Sequence, residues 1–67
     1  MKLWKAEHLE KGTWYFSNRS KLARYIDCQP AYVYSLSNVG APFNIKGWNI
    51  ELIYADDVIS KYIDPEV

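Results

Sequence analysis

Residues 2–8 alternate between two faces in the way that favours a β-strand. Over residues 2–8 the predicted faces carry Leu3, Lys5 and Glu7 on one side and Trp4, Ala6 and His8 on the other. Residues 9–12 follow as a turn in which Gly12 supplies a positive φ, and residues 13–16 are rich in β-forming side chains. The two segments together predict an N-terminal β-hairpin.

The hydrophobic spacing then changes to that of α-helices. Ser17-Asn18 offers a helix cap, because a side-chain oxygen there can accept from the free amides of a first turn. A helix is predicted from Arg19 to about Ile26, and a short turn over residues 27–29 follows it. Pro30 suits the first position of a second helix, which is predicted to end by Gly40.

The last third of the chain predicts a further β region and a third helix. Residues 43–54 alternate again, with Lys46-Gly47 as a kink or tight turn. Residues 55–63 are predicted to be helical, because Asp56 and Asp57 suit a first turn and an apolar face follows, namely Val58, Ile59, Tyr62 and Ile63. The expected fold is therefore a single α+β domain over residues 1–67, with an N-terminal β-hairpin, a helix-turn-helix, a returning third strand as in a winged helix, and a C-terminal helix.

The segment from Arg19 to Asn38 has the spacing that a helix-turn-helix needs. Two short helices that cross steeply need a small residue at the crossing, and Ala23 lies at that position. The apolar positions that this template requires around the crossing, in the turn and along the second helix are Leu22, Ile26, Cys28, Val33 and Leu36. A helical hairpin that only fills a core is the alternative interpretation.

In a helix-turn-helix, the second helix reads the major groove. Its predicted outward residues are Gln29, Ala31, Tyr34, Ser35 and Asn38. Amide side chains there can pair with adenine, whereas the absence of Arg and Lys from this helix predicts weak guanine recognition. The predicted phosphate contacts come from flanking elements and are Arg19, Lys21, Arg24 and Lys46.

Net charge is zero, but the charges are unevenly distributed along the chain. Residues 1–46 carry seven bases and three acids, and residues 47–67 carry one base and five acids, which gives +4 and −4. A basic face that meets phosphates would explain this pattern, and chance clustering on a solvated surface would explain it equally well. The three Trp, six Tyr and two Phe residues predict core packing, with base stacking as the alternative.

The run from Phe16 to Ile26, the second helix and the segment Ile45-Lys46-Gly47-Trp48 resemble the nuclease-associated modular DNA-binding domain of homing endonucleases. The resemblance covers roughly residues 13–50 and implies a helix-turn-helix DNA-binding module of phages or mobile elements. It assigns Asn18 as the cap, Ala23 as the crossing residue and Val33 as the inward anchor. Two features depart from the family pattern, since Asp27 replaces the usual turn glycine and the second helix is less basic.

The sequence offers few residues that could act in catalysis or bind a cofactor. His8 and Glu7 are adjacent on a predicted strand and point to opposite faces, so they form no dyad, and His8 is expected to lie on the surface. One cysteine and one histidine cannot complete a structural zinc site, so we expect no metal, no cofactor and no enzyme activity. The unpaired Cys28, the lack of a secretory leader and the lack of a long apolar run favour a cytoplasmic protein.

The sequence therefore predicts a small regulator that reads duplex DNA through its second helix, residues 30–38. We expect it to assemble as a homodimer on a two-fold site. The alternative is a protein-binding module, such as a small phage inhibitor of a host protein. Neutral charge, the uncharged second helix and the expected exposure of Tyr32, Tyr34 and Tyr62 favour that alternative.

Overall fold

The helices and strands follow the hydrophobic pattern closely as far as residue 54. A computed structural model of the protein describes residues 2–58 and 60–65. In chain order its elements are β1 (Lys2–His8), β2 (Gly12–Phe16), α1 (Arg19–Tyr25), α2 (Pro30–Val39), β3 (Phe43–Ile45), β4 (Trp48–Tyr54) and a 3₁₀ turn at Ser60–Tyr62. The predicted N-terminal hairpin and both helices of the helix-turn-helix segment are thus present.

The four strands form one antiparallel sheet in the order β2-β1-β4-β3. The region predicted as a returning strand is in fact a hairpin of two strands, β3 and β4. Lys46 and Gly47 have φ values of 52° and 84°, and a two-residue type I′ turn needs positive φ at both positions. The two hairpins join in the centre of the sheet, where Ala6 of β1 pairs with Ile50 of β4.

Both helices cover one face of the sheet. Strand alternation places Ala6, Phe16 and Ile50 on that face, and each is at most 1% exposed. The rest of the main core cluster consists of Leu22, Ala23, Ile26, Val33, Ile45 and Trp48. Most aromatic rings also pack internally, as predicted: the ring of Tyr25 contacts those of Trp14, Phe16 and Trp48 at centroid distances of 5.4–6.1 Å.

The predicted C-terminal helix over residues 55–63 is wrong. Residues 55–58 are not helical, one 3₁₀ turn spans Ser60–Tyr62, and Ile59 lies outside the described residues. Contacts with β2 determine the conformation instead. Ile63 forms a parallel bridge with Tyr15, and the backbone amide of Asp64 donates to the Tyr15 carbonyl at 2.7 Å. This isolated bridge lies at the outer edge of β2, and with Asp64 at a φ of 49° the segment does not continue as a helix.

Within residues 2–58 and 60–65, no helix has the length and apolar character needed to cross a membrane.

Candidate nucleic-acid interface

The junction between α1 and α2 is a short turn held by local hydrogen bonds. The Asn18 side chain caps α1 by accepting from the Lys21 amide at 2.9 Å. Asp27, in the turn between the helices, adopts the left-handed conformation at φ 59°, which aspartate tolerates better than most residues. The Cys28 amide then donates to the Ala23 carbonyl at 2.9 Å, so the turn folds back over α1.

All six apolar positions of the helix-turn-helix template pack inward. Four of them are at most 5% exposed, namely Leu22, Ala23, Ile26 and Val33. Cys28 and Leu36 are half-buried and pack against the same core. Because Ala23 is fully buried, the structure leaves no open space around its methyl group.

The outward side of α2 is open to solvent. In α2, which the structure describes throughout, Val33 is the one fully buried residue. The predicted base-reading residues are all exposed, namely Gln29, Ala31, Tyr34, Ser35 and Asn38. The described C-terminal residues 60–65 lie along β2, so they do not cover this side of α2.

The exposed side of α2 carries no charged residue and combines polar with apolar side chains. Gln29 is the residue that precedes the helix, and its side chain makes no capping hydrogen bond, so its amide can contact a ligand. Tyr32 and Val39 are 53% and 89% exposed. Helix α2 thus offers amide and hydroxyl groups for hydrogen bonding beside a small apolar area.

The guanidinium of Arg19, a predicted phosphate contact, interacts with side chains of the protein itself. Its guanidinium donates to the Ser37 hydroxyl at 2.7 Å. The guanidinium carbon lies 4.1 Å from the ring centroid of Tyr34 and 5.7 Å from that of Trp4. Local sequence patterns do not predict these partners, because Trp4 belongs to a strand that is distant in the sequence. Tyr34 is likewise partly occupied, since its hydroxyl lies 3.2 Å from that of Ser20.

The other three predicted phosphate contacts differ in their availability. The Lys21 ammonium lies 3.3 Å from a carboxylate oxygen of Asp64, and the Lys46 ammonium donates to the Asp27 carbonyl. Arg24 is exposed, and its side chain makes no hydrogen bond or ion pair within residues 2–58 and 60–65. It borders an open cavity of about 450 Å³ at the start of α2, lined also by Ser20, Asp27, Cys28 and Pro30.

Asp64 holds the C-terminal segment against the start of α1. Its carboxylate accepts from the Ser17 amide at 2.9 Å, the Ser17 hydroxyl at 2.8 Å and the Lys21 ammonium at 3.3 Å. Partial burial acts to raise the pKa of Asp64, but these hydrogen bonds and the Lys21 charge together lower that pKa below its ordinary value. We call Asp64, Ser17 and Lys21 the Asp64 cluster.

His8 and Cys28 have structural roles. His8 is half-buried rather than a free surface residue: its Nδ1 accepts from the amides of Glu10 and Lys11 at 3.0 and 3.2 Å, and its ring lies 5.0 Å from that of Trp48. Partial burial raises the pKa of the Cys28 thiol, so the thiol is protonated at neutral pH. Among the described residues, no three histidine, cysteine or acidic side chains come together as metal ligands.

Comparison with protein-family models, with curated proteins and with solved structures finds no match to this chain. The site is therefore interpreted from its own geometry.

Proposed function

We propose that the protein binds duplex DNA by placing α2 in the major groove. The observation that carries this proposal is the position of α2. Val33 is the one fully buried residue of this helix, and the side opposite Val33 is exposed. The major groove of B-DNA is wide enough to admit one α-helix, and an exposed second helix is the element that helix-turn-helix proteins insert there. The resemblance to DNA-binding modules of homing endonucleases is consistent with this use of α2.

The residues on α2 favour A·T base pairs over G·C. Gln29 and Asn38 carry amides that can donate to N7 and accept from the amino group of adenine, and Ala31 can contact a thymine methyl group. Helix α2 has no Arg or Lys, the side chains that most often recognise guanine.

Phosphate contacts are expected at the start of α2. Arg24 of α1 lies beside this end of α2, and its side chain makes no hydrogen bond or ion pair with the described residues. The bond from Lys46 to the Asp27 carbonyl brings the β3–β4 turn to the same end, where a wing would lie. Arg24, Lys46 and Lys21 are the available cations, so we expect two or three phosphate contacts and a salt slope of about −2 to −3 in log K against log salt.

Fluorescence anisotropy with a random-sequence duplex of about two helical turns tests this proposal. We expect binding at low salt that weakens along the slope given above. The double variant Arg24→Ala with Lys46→Ala should lower the magnitude of that slope by about 1.8, at about 0.9 per contact. Lys5→Ala, compared with Arg24→Ala alone, is the charge-matched control, because strand alternation places Lys5 on the sheet face opposite the helices.

Absence of binding at low salt would refute the proposal, and so would an equal loss of affinity in the Lys5→Ala control. The predicted homodimer is tested by sedimentation of the protein alone and with DNA. A monomer in both conditions would restrict the contact to one half-site.

A protein-binding module is the second candidate, and the exposure of Tyr32 and Val39 on α2 favours it. Tyr62, which was expected to contribute, is half-buried with its ring 5.6 Å from that of Trp14. Under this alternative no duplex binding appears at any salt concentration. A captured partner should then be lost with Tyr32→Ser and Val39→Ser and kept with Arg24→Ala.

A further inference from the structure

The guanidinium of Arg19 lies within cation–π distance of two aromatic rings that belong to different parts of the fold. Its guanidinium carbon is 4.1 Å from the Tyr34 ring centroid on α2 and 5.7 Å from the Trp4 ring centroid on β1. Trp4 in turn lies 6.5 Å from Phe43 of β3. We call Trp4, Arg19 and Tyr34 the Arg19 sandwich.

Hydrogen bonds fix the sandwich on the side of α2. The guanidinium donates to the Ser37 hydroxyl at 2.7 Å, and that hydroxyl donates to the Tyr34 carbonyl at 3.0 Å. A guanidinium is planar, so it can stack on a ring and still donate within its own plane. An ammonium is a compact point charge and cannot do both in the same way.

The position of α2 depends strongly on these contacts because little else ties it to the sheet. Val33 is its one fully buried side chain, and the helix with which it mainly packs is α1. The Arg19 sandwich adds a direct link from α2 to the centre of the sheet through Trp4. A small rotation of α2 would displace its outer residues, and aligned base contacts tolerate little displacement.

We propose that Arg19 is a positioning residue, which sets the orientation of α2 through Tyr34 and makes no phosphate contact. This inference rests on the proposed function, because the orientation of α2 matters through the DNA that α2 contacts. It also removes Tyr34 from the base-reading set and leaves Gln29, Ala31, Ser35 and Asn38.

The charge-retaining substitution Arg19→Lys separates the two roles. A phosphate contact tolerates lysine, whereas the sandwich requires the planar guanidinium. We expect Arg19→Lys and Arg19→Ala each to weaken duplex binding about tenfold, with an unchanged salt slope. At Arg24, the matched control, alanine should lower the magnitude of the slope by about 0.9 and lysine should preserve it.

An independent measurement on the free protein separates failure of this inference from failure of the proposed function. Urea unfolding of Arg19→Met, Tyr34→Leu and the double variant gives their coupling, which we expect to be about fivefold in the unfolding equilibrium constant. Tyr34→Phe keeps the ring and loses only the hydroxyl contact with Ser20, so its coupling to Arg19 should be small.

The positioning role is overturned if Arg19→Lys binds DNA as the native protein does, if Arg19→Ala reduces the salt slope, or if the coupling with Tyr34→Leu is absent. A native protein that binds no duplex at low salt refutes the proposed function, and the coupling then decides whether Arg19 holds α2. Should Arg19→Ala fail to fold, Arg19→Lys and the coupling still give the answer.

Discussion

Replacing Asp64 by Asn tests how strongly the C-terminal segment is held against the rest of the fold. Asp64→Asn keeps the size of the side chain and one oxygen acceptor for the Ser17 amide, but it removes the charge. Hydrogen bonds to a charged group contribute about 1.5–3 kcal/mol each when well shielded. The Asp64 side chain is 26% exposed and that of Lys21 is 50% exposed, so the ion pair itself contributes no more than about 1 kcal/mol.

We therefore expect Asp64→Asn to lower the free energy of unfolding by about 1–2 kcal/mol at neutral pH. In a domain of this size that corresponds to a fall in Tm of roughly 4–16 °C. The assay is urea unfolding followed by tryptophan fluorescence, because Trp14 lies against the same C-terminal segment through Tyr62. Asp57→Asn is the control, since Asp57 is exposed and its side chain makes no hydrogen bond or ion pair within residues 2–58 and 60–65.

The pH dependence gives a second readout of the same cluster. The pKa of Asp64 is lowered in the folded protein, so its contribution is complete above the unfolded pKa of about 3.9 and is lost as pH falls through the folded pKa. The stability difference between the native protein and Asp64→Asn should thus shrink as the pH falls below about 3.9. An equal difference at neutral and strongly acidic pH, or an equal effect of Asp57→Asn, would refute the reasoning.

Two further substitutions test the packing around the proposed interface. Ala23→Leu should destabilise the fold by about 1–3 kcal/mol, because Ala23 is fully buried where the turn folds back over α1; stability equal to that of the native protein in urea unfolding would contradict this. His8→Phe keeps a ring against Trp48 but removes the acceptor of two backbone amides. We therefore expect the free energy of unfolding to fall by about 1 kcal/mol and amide hydrogen exchange at Glu10 and Lys11 to become faster. Unchanged exchange at these two amides would show that the histidine acceptor is dispensable.

Local sequence features predict the elements up to residue 39, and the β region after it in outline, because each is determined by residues close to it in the chain. Alternation defines β1 and β2, Asn18 caps α1, and Pro30 begins α2. The helix predicted over residues 55–63 is wrong because residues distant in the sequence determine the conformation there. The apolar spacing there fits a helix, but pairing with Tyr15 and ring packing on Trp14 determine the observed conformation. Those partners are distant in sequence, and periodicity carries no information about them.

The candidate interface was predictable in its outline but not in its charges. Helical periodicity gives the exposed positions on α2, since the side opposite Val33 must face solvent. It does not reveal which cations have internal partners. The pairing of Lys21 with Asp64 and the stacking of Arg19 on Trp4 join elements that are far apart in the chain, so only the tertiary structure shows them.

These pairings change the meaning of the +4 charge in residues 1–46, because a charge with an internal partner contributes less to a ligand than a free one does. Among the four cations predicted to contact phosphate, Arg24 has no described partner, and Lys21 and Lys46 must give up contacts to bind. The free energy of each internal contact that must break on DNA binding reduces the net free energy of binding. A single copy should consequently bind weakly, and useful affinity would then require two copies on adjacent half-sites, where the two contributions combine.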